Sequence, residues 1–155
     1  LSFHGALTGV MIWTYVFAKK KKLHFYDLSD ILVVPAALML FLGRIANFIN
    51  GELVGKITNL SWGVKFKNYE GFRHPTQIYE SLKNLLIFFA LLFLKNKNLK
   101  KGTLTWVFFL FYGTLRFFIE FLKEQTSFIF GLPVTQIFTG LMIIVSLYFL
   151  LKKSI

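Results

Sequence analysis

Five apolar runs divide this chain, and each is long enough, or nearly long enough, to cross a lipid bilayer as a helix. A membrane-spanning helix needs about 20 mainly apolar residues. The chain is 55% hydrophobic over 155 residues, which is more apolar side chain than a soluble domain of this size buries. We therefore predict an all-α, polytopic transmembrane bundle with helices at residues 3–18, 28–49, 75–94, 104–122 and 134–151.

Lysines occupy every second connection between these runs. Four lie at positions 19–22, four lie between positions 95 and 101, and two lie at 152–153. If the helices alternate in direction, all of these lysines fall on one side of the membrane, which the positive-inside rule makes the cytoplasmic side. The net charge of +11 is then explained by orientation in the membrane. We predict no nucleic-acid partner, because the chain has no basic polar domain that could bind one.

The loop between the second and third runs is the only sizeable one. No repeat or low-complexity linker interrupts the chain, so we predict one integral membrane domain, 1–155, with residues 52–74 as an extracytoplasmic head. The alternation of residues 61–67 favours a strand or hairpin in this head. An irregular loop with Trp62 and Tyr69 at the level of the lipid headgroups is the alternative. Because the chain begins with Leu1, we expect it to be the later part of a longer protein.

The second apolar run ends in an unusual polar stretch, Gly43–Glu52, which includes Arg44, Asn47 and Glu52. Polar groups at the end of an apolar helix are costly unless they have partners or a function. Arg44 and Asn47 are three residues apart and share a helix face, and Asn50-Gly51 is a common helix stop. The structural alternative is an arginine that reaches towards lipid headgroups beside a capping pair.

The fourth run carries Tyr112, Arg116 and Glu120 at intervals of four, so the three side chains lie along one stripe of the helix. A rise of about 1.5 Å per residue puts Arg116 inside the outer half of the membrane. A charge at that depth nearly always faces the bundle interior or an aqueous cavity. A purely structural pair between Arg116 and Glu120 is the alternative explanation.

Two further groups of polar residues are predicted on the outer side. The stretch Arg73–Glu80 opens the third helix, where Pro75 suits the first turn, and polar side chains continue to Asn84. Helix capping and interhelical hydrogen bonds would also explain them. His4 lies at the outer end of the first helix, where it could serve as a general base or as a cap. The chain has no cysteine, and neither His4 nor His74 has a carboxylate at ligand spacing, so we predict no metal site.

Arginines and neutral amides in the outer half of the membrane suit an anion that resides there. The planar guanidinium binds phosphate through two parallel hydrogen bonds, and the phosphates that reside in membranes belong to phospholipids. The residues by themselves therefore predict a lipid-phosphate site that opens on the outer face. They do not specify the reaction.

Four motifs resemble those of bacterial prolipoprotein diacylglyceryl transferases. They are Ser2–Gly5, Gly43–Glu52, Arg73–Glu80, and Tyr112-Gly113 followed by Arg116 and Glu120. The resemblance spans nearly the whole chain. It implies a seven-helix, multi-pass enzyme of the bacterial inner membrane, with its active site towards the outer leaflet. Such an enzyme transfers diacylglyceryl from phosphatidylglycerol to the lipobox cysteine thiol of a preprolipoprotein, forms a thioether and releases glycerol phosphate.

The resemblance also implies roles for individual residues. His4 matches the histidine proposed as a base, and Arg44 matches the arginine that binds phosphatidylglycerol. We expect a monomer that needs membrane lipid and no cofactor. A lipid transporter or flippase and a non-catalytic assembly subunit are the alternatives. The predicted catalytic residues are His4, Tyr112, Arg116 and Glu120, and the predicted substrate-binding residues are Arg44, Asn47, Glu52, Arg73, His74, Gln77 and Tyr79.

Overall fold

The computed structural model describes residues 3–124, 128–129 and 132–154, and the side chains of residues 9–124, 128 and 133–152. The described part of the chain is mainly helical, which confirms the predicted class, and its five helices agree with the predicted ones to within about one turn. The elements are α1 Phe3–Lys20, α2 Phe25–Asn50, α3 Thr76–Lys95, α4 Thr103–Glu120, β1 Phe128–Ile129, β2 Leu132–Pro133 and α5 Val134–Ser154.

Three of the described helices are long and apolar enough to cross a membrane: α2, α3 and the Val134–Lys152 part of α5. The helix α4 has 18 residues and does not meet the same combined criterion. Arg116 and Glu120 lie near its end, and their charge lowers its mean hydropathy. Of α1, only residues 9–20 have described side chains. Length and hydropathy thus support three of the five predicted spans.

The first half of α3 buries polar side chains, and the outward face of the helix exposes apolar ones. Its buried side chains include Gln77, Glu80 and Asn84, each at most 1% exposed. Leu86 and Phe93, by contrast, are 60% and 67% exposed. A helix on a soluble protein shows the reverse pattern. Polar side chains that face the bundle and apolar ones that face outwards are what a lipid environment favours.

Side-chain contacts define the directions of the helices. Ser81 of α3 donates to the carbonyl of Phe41 in α2 at 3.2 Å, and the first turn of α3 also lies against the end of α2, so these helices are antiparallel. The start of α4 lies against the start of α2, so these two run in the same direction. An apolar core lies between α2, α3 and α4, built from Val33, Val34, Ala37, Ile87, Leu91, Leu104, Phe108 and Tyr112.

The loop between α2 and α3 begins as predicted. Helix α2 ends at Asn50, and Gly51 takes the left-handed conformation with φ 68°, which only glycine adopts without strain. Among the described residues of this loop, β-structure is limited to isolated bridges, including one between Val64 and Arg73. Within residues 61–67, where a strand or hairpin is predicted, the β-structure consists of this bridge alone. The Gly63 amide donates to the Leu60 carbonyl and closes a turn, which interrupts the extended conformation.

At the opposite end of the bundle, an aspartate of α2 caps α4. The Asp30 carboxylate accepts hydrogen bonds from the backbone amides of Gly102 and Thr105 and from the Thr105 hydroxyl. Helix N-termini leave amide donors without partners, and a carboxylate there is also favoured by the helix dipole. The cap therefore ties α2 to α4 at the lysine-rich end.

We expect Asp30→Ala to destabilise the bundle by about 1–2 kcal/mol, the usual cost of losing an N-cap. Asp27→Ala is the matched control, because Asp27 pairs with Lys101 at an exposed position, 2.7 Å away, where ion pairs contribute below about 1 kcal/mol. Unfolding in detergent micelles measures both values. An equal effect of the two substitutions would contradict the capping role of Asp30.

Candidate functional site

A fully buried carboxylate lies at the end of the bundle where α3 begins. Glu80 of α3 is 0% exposed. The Lys83 ammonium lies 2.7 Å from its Oε2 atom, and the Lys123 ammonium lies 2.7 Å from its Oε1 atom. Lys83 is one turn further along α3, whereas Lys123 follows α4. Each carboxylate oxygen of Glu80 is therefore paired with a different lysine.

Two arginines from neighbouring helices face the same carboxylate at a longer distance. Arg44 Nε of α2 lies 3.9 Å from Oε2 of Glu80, and Arg116 Nη1 of α4 lies 3.9 Å from Oε1. These distances allow electrostatic attraction but exceed the range of a hydrogen bond. The Arg44 and Arg116 side chains are 14% and 18% exposed. Three helices thus bring both predicted arginines to one point.

The polar stripe predicted on α4 is present, and it contacts this cluster. Arg116 Nη1 donates to the Tyr112 hydroxyl at 3.0 Å, and the Lys83 ammonium lies 3.8 Å from the centre of the Tyr112 ring. Glu120 Oε2 lies 3.8 Å from Arg116 Nε, and Glu120 Oε1 accepts from the Thr135 hydroxyl at 2.9 Å. Glu120 therefore links Arg116 to the start of α5.

The cluster has an excess of positive charge. Its described members are four cations and two carboxylates, Glu80 and Glu120, so two positive charges are left over. In the described part of the chain, none of the other five acidic residues forms an ion pair with these four cations; they are Asp27, Asp30, Glu52, Glu70 and Glu124. A low-dielectric bundle makes such an excess costly unless an anion joins it. The arrangement can therefore bind an anion.

An open cleft of about 640 Å³ adjoins the cluster at Glu120. Phe121, Phe128 and Pro133 form apolar parts of its wall. Lys56, Glu124 and Gln136 add polar groups. A wall of mixed character can accept a molecule that has both apolar and polar parts.

Asn47, Glu52 and Gln77 form a rim at the junction of α2 and α3, the two helices that carry Arg44 and Glu80. Asn47 Nδ2 donates to Glu52 Oε2 at 3.3 Å, and Gln77 Nε2 donates to the Glu52 backbone carbonyl. The Oε1 atom of Gln77 is buried and has no hydrogen bond from any residue that the structure describes. An unpaired buried carbonyl oxygen favours binding of a donor such as a hydroxyl group.

Arg73 holds the head together. Its Nη1 atom donates to Glu124 Oε1 at 2.6 Å and to the Gly55 carbonyl at 3.1 Å, and its Nε atom donates to the Glu70 carbonyl. The side chain is only 10% exposed. These contacts use the guanidinium to join the loop to the segment after α4. The structure therefore gives Arg73 a structural role, and its substrate-binding role stays a prediction.

His74 and Tyr79 form a chain of hydrogen bonds with Trp62 of the head. Trp62 Nε1 donates to the Tyr79 hydroxyl at 2.8 Å, and that hydroxyl lies 3.3 Å from His74 Nδ1. An indole nitrogen can only donate, so the Tyr79 hydroxyl hydrogen is available to His74. The two predicted residues are therefore held by the head and do not contact the cationic cluster.

The head packs against the start of α3 at a glycine. A side chain at Gly55 would place its Cβ atom 2.7 Å from Thr76 Cγ2 and 2.8 Å from the His74 carbonyl oxygen, closer than such atoms approach each other. We expect Gly55→Ala to cost about 1–3 kcal/mol through overpacking and to weaken Arg73 binding to the Gly55 carbonyl. Gly43→Ala, where no atom lies within 4 Å, is the control. Equal unfolding free energies for the two variants would contradict the close approach.

The structure also shows which site residues the sequence analysis did not identify. Glu80, Lys83 and Lys123 form the centre of the cluster, yet none was a predicted site residue. The interval of three between Glu80 and Lys83 is the only local signal for their pairing. Lys123 comes from another part of the chain. The side chain of His4 lies outside the described residues, so its predicted role as a base stays a prediction.

Comparison with known proteins shows the family of this chain. The family model for prolipoprotein diacylglyceryl transferase matches residues 1–152. The chain is 40% identical to the phosphatidylglycerol–prolipoprotein diacylglyceryl transferase of Rickettsia bellii and 42% identical to that of Rickettsia rickettsii. Each comparison covers 99% of this chain but only 62% and 63% of the respective relative, so the chain spans less than two thirds of their length. The chain belongs to the prolipoprotein diacylglyceryl transferase family.

Proposed function

We propose that this chain forms the phosphate-binding centre of an enzyme that transfers diacylglyceryl from phosphatidylglycerol to the lipobox cysteine of preprolipoproteins. One observation carries the proposal: Arg44 and Arg116, from two different helices, converge on a buried cluster with excess positive charge. A phospholipid phosphate is the anion that would approach such a cluster from within the membrane. The names of the relatives supply the reaction.

In this reaction the cysteine sulfur of the signal peptide attacks the glyceryl carbon that carries the phosphate ester. A C–S bond forms, and the C–O bond to the phosphate breaks. The bonding electrons move to the departing oxygen, so that glycerol phosphate leaves. A thiol is a competent nucleophile only as the thiolate. We assign removal of the thiol proton to His4, because histidine accepts protons near neutral pH.

The charge of the cluster suits the transition state better than the ground state. A phosphate diester has one negative charge, whereas the departing glycerol phosphate approaches two. The excess of two positive charges would therefore attract the leaving group more strongly than the intact lipid, and such a difference lowers the barrier. Tyr112 and Glu120 hold the Arg116 guanidinium, and we assign them this orienting role.

The Gly43–Glu52 rim and the cleft would then accept the rest of the substrates. Asn47, Glu52 and Gln77 lie at the junction of α2 and α3, and we assign them binding of the glycerol hydroxyls of the lipid headgroup. We propose that the cluster faces the outer leaflet of the bacterial inner membrane, with residues 52–74, including His74 and Tyr79, as an outer head. The lysines at 19–22 and 95–101 would be cytoplasmic, and the enzyme would act as a monomer.

Transfer of labelled diacylglyceryl to a peptide tests this function. The complete membrane protein is incubated with phosphatidylglycerol labelled in its acyl chains and a signal peptide that contains a lipobox cysteine. We expect label to become covalently attached to the peptide, and glycerol phosphate to appear in equal amount. A peptide with serine in place of the cysteine is the matched control. Movement of lipid between leaflets without labelled peptide would contradict the proposal and indicate a transporter.

A further inference from the structure

The two lysines and the two arginines of the cluster contact Glu80 differently. Both ammonium groups lie at 2.7 Å from a carboxylate oxygen, whereas both arginines are held back at 3.9 Å. This arrangement is the opposite of the usual preference, because the planar guanidinium normally pairs with a carboxylate through two parallel hydrogen bonds. Some feature of the site must prevent that pairing.

The lysines supply the reason. A guanidinium that pairs with a carboxylate through two hydrogen bonds must approach both oxygens from the same side. Lys83 and Lys123 already bind one oxygen of Glu80 each. Repulsion between the cations adds to this obstruction. Lys83 cannot easily leave, because its side chain is 2% exposed and its ammonium also packs on the Tyr112 ring.

The arginines consequently keep donors for a ligand. Among the side chains that the structure describes, none accepts a hydrogen bond from the Arg44 guanidinium. Arg116 uses Nη1 for the Tyr112 hydroxyl. Among the described side chains, none accepts a hydrogen bond from its Nη2 atom. Both side chains are partly exposed, whereas Glu80 is fully buried. An incoming phosphate can therefore reach the arginines and cannot reach Glu80.

We propose that Lys83 and Lys123 are positioning residues, which occupy the Glu80 carboxylate so that Arg44 and Arg116 remain available to the phosphate of the lipid substrate. This inference rests on the proposed function for the identity of the ligand. Glu80 acts as a fixed internal counterion that draws four cations to one point. The lysines neutralise it, and the arginines bind the substrate.

The proposal predicts a specific effect on lipid affinity when one of the lysines is removed. In Lys83→Met the Oε2 atom of Glu80 becomes free, and Arg44 can close onto it. We expect phosphatidylglycerol affinity to fall about tenfold or more, which is the usual effect of losing a charge-assisted hydrogen bond, although both arginines are intact. The KM for phosphatidylglycerol should rise by a similar factor, with kcat changed much less.

A second substitution should restore the affinity. Glu80→Gln removes the charge that captures Arg44, so Lys83→Met with Glu80→Gln is expected to bind phosphatidylglycerol within about threefold of the wild type, since a neutral amide pairs more weakly with a guanidinium. Lys65→Met, an exposed lysine of the head, is the matched control for loss of a positive charge. Lys123→Met, alone and with Glu80→Gln, repeats the comparison at a less buried lysine if Lys83→Met does not fold.

Two measurements on the complete protein in neutral detergent test the positioning role of the lysines. One is retention of labelled phosphatidylglycerol, with phosphatidylcholine as the zwitterionic comparison, and the other is the kinetics of transfer to the lipobox peptide. Weaker retention by the lysine variant and its recovery by Glu80→Gln would support the proposal. Unchanged retention, or a lower kcat and lower stability with unchanged KM, would overturn it.

The two proposals fail in different ways. A wild-type protein that retains phosphatidylglycerol but performs no transfer would contradict the proposed reaction alone, because retention still decides the role of the lysines. A wild-type protein that transfers diacylglyceryl, with lysine variants of unchanged affinity, would contradict the positioning role alone. A wild-type protein that does not retain phosphatidylglycerol would overturn both.

Discussion

Replacement of Arg44 or Arg116 with alanine is expected to lower diacylglyceryl transfer at least about a hundredfold, since loss of one donor to a developing oxyanion costs about 3 kcal/mol in barrier. Both guanidinium groups lie at the cationic cluster and are partly exposed. Each would contribute hydrogen bonds to the phosphate as negative charge grows on the departing oxygen. Turnover of labelled phosphatidylglycerol onto a lipobox peptide measures the loss.

Substitution of lysine for either arginine distinguishes the effect of the positive charge from the effect of the planar guanidinium geometry. Arg44→Lys keeps the positive charge but lacks the planar pair of donors, so we expect activity between that of the wild type and that of Arg44→Ala. An exposed lysine of the head, changed as Lys67→Ala, is the control and should leave turnover near the wild-type value. Wild-type turnover by Arg44→Ala or Arg116→Ala would contradict the assignment of the site.

The second large effect is expected on stability, at Glu80. Glu80→Ala removes the only carboxylate within hydrogen-bond distance of Lys83 and Lys123 among the described residues. Removal of one partner from a buried ion pair costs about 3–5 kcal/mol, because the remaining charge is left without compensation. We expect a loss of this size in the free energy of unfolding, measured in detergent micelles.

Glu124→Ala is the control for this experiment. Glu124 also accepts a hydrogen bond from a cation, Arg73, at 2.6 Å, but its side chain is 55% exposed, and exposed ion pairs contribute below about 1 kcal/mol. Glu80→Gln retains the shape of the side chain and some of its hydrogen bonding. Its loss of unfolding free energy should therefore lie between those of Glu80→Ala and Glu124→Ala. If Glu80→Ala cost no more than Glu124→Ala, the buried counterion role of Glu80 would be wrong.

Features with a local cause could be predicted from the sequence. The helices follow from apolar runs of sufficient length, and the end of α2 follows from the backbone freedom of Gly51. The stripe of Tyr112, Arg116 and Glu120 follows from intervals of four residues. For residues 61–67 the structure agrees with the alternative of an irregular loop better than with a strand or hairpin, because they contain a turn at Gly63 and a single bridge to Arg73.

The centre of the site could not be predicted in the same way. Glu80 was recognised as a polar residue on the outer side, but helix capping and interhelical hydrogen bonds explained it equally well. Lys123 adjoins the short connection after α4 and has no sequence pattern that relates it to Glu80. Arg73 and Arg44 are both arginines in a polar motif, yet Arg73 is occupied within the head. Arg44 lies near Glu80 and donates no hydrogen bond to a described side chain.

The sequence by itself determined the class of the fold, the positions of its helices and the family, because hydropathy, helical periodicity and motif order are properties of the chain. Only the tertiary structure decided which charges meet. Glu80 becomes a counterion because α2, α3, α4 and the segment after α4 converge on it, and burial there makes each pairing strong. Whether an arginine stabilises the protein or remains available to a ligand depends on its neighbours in space.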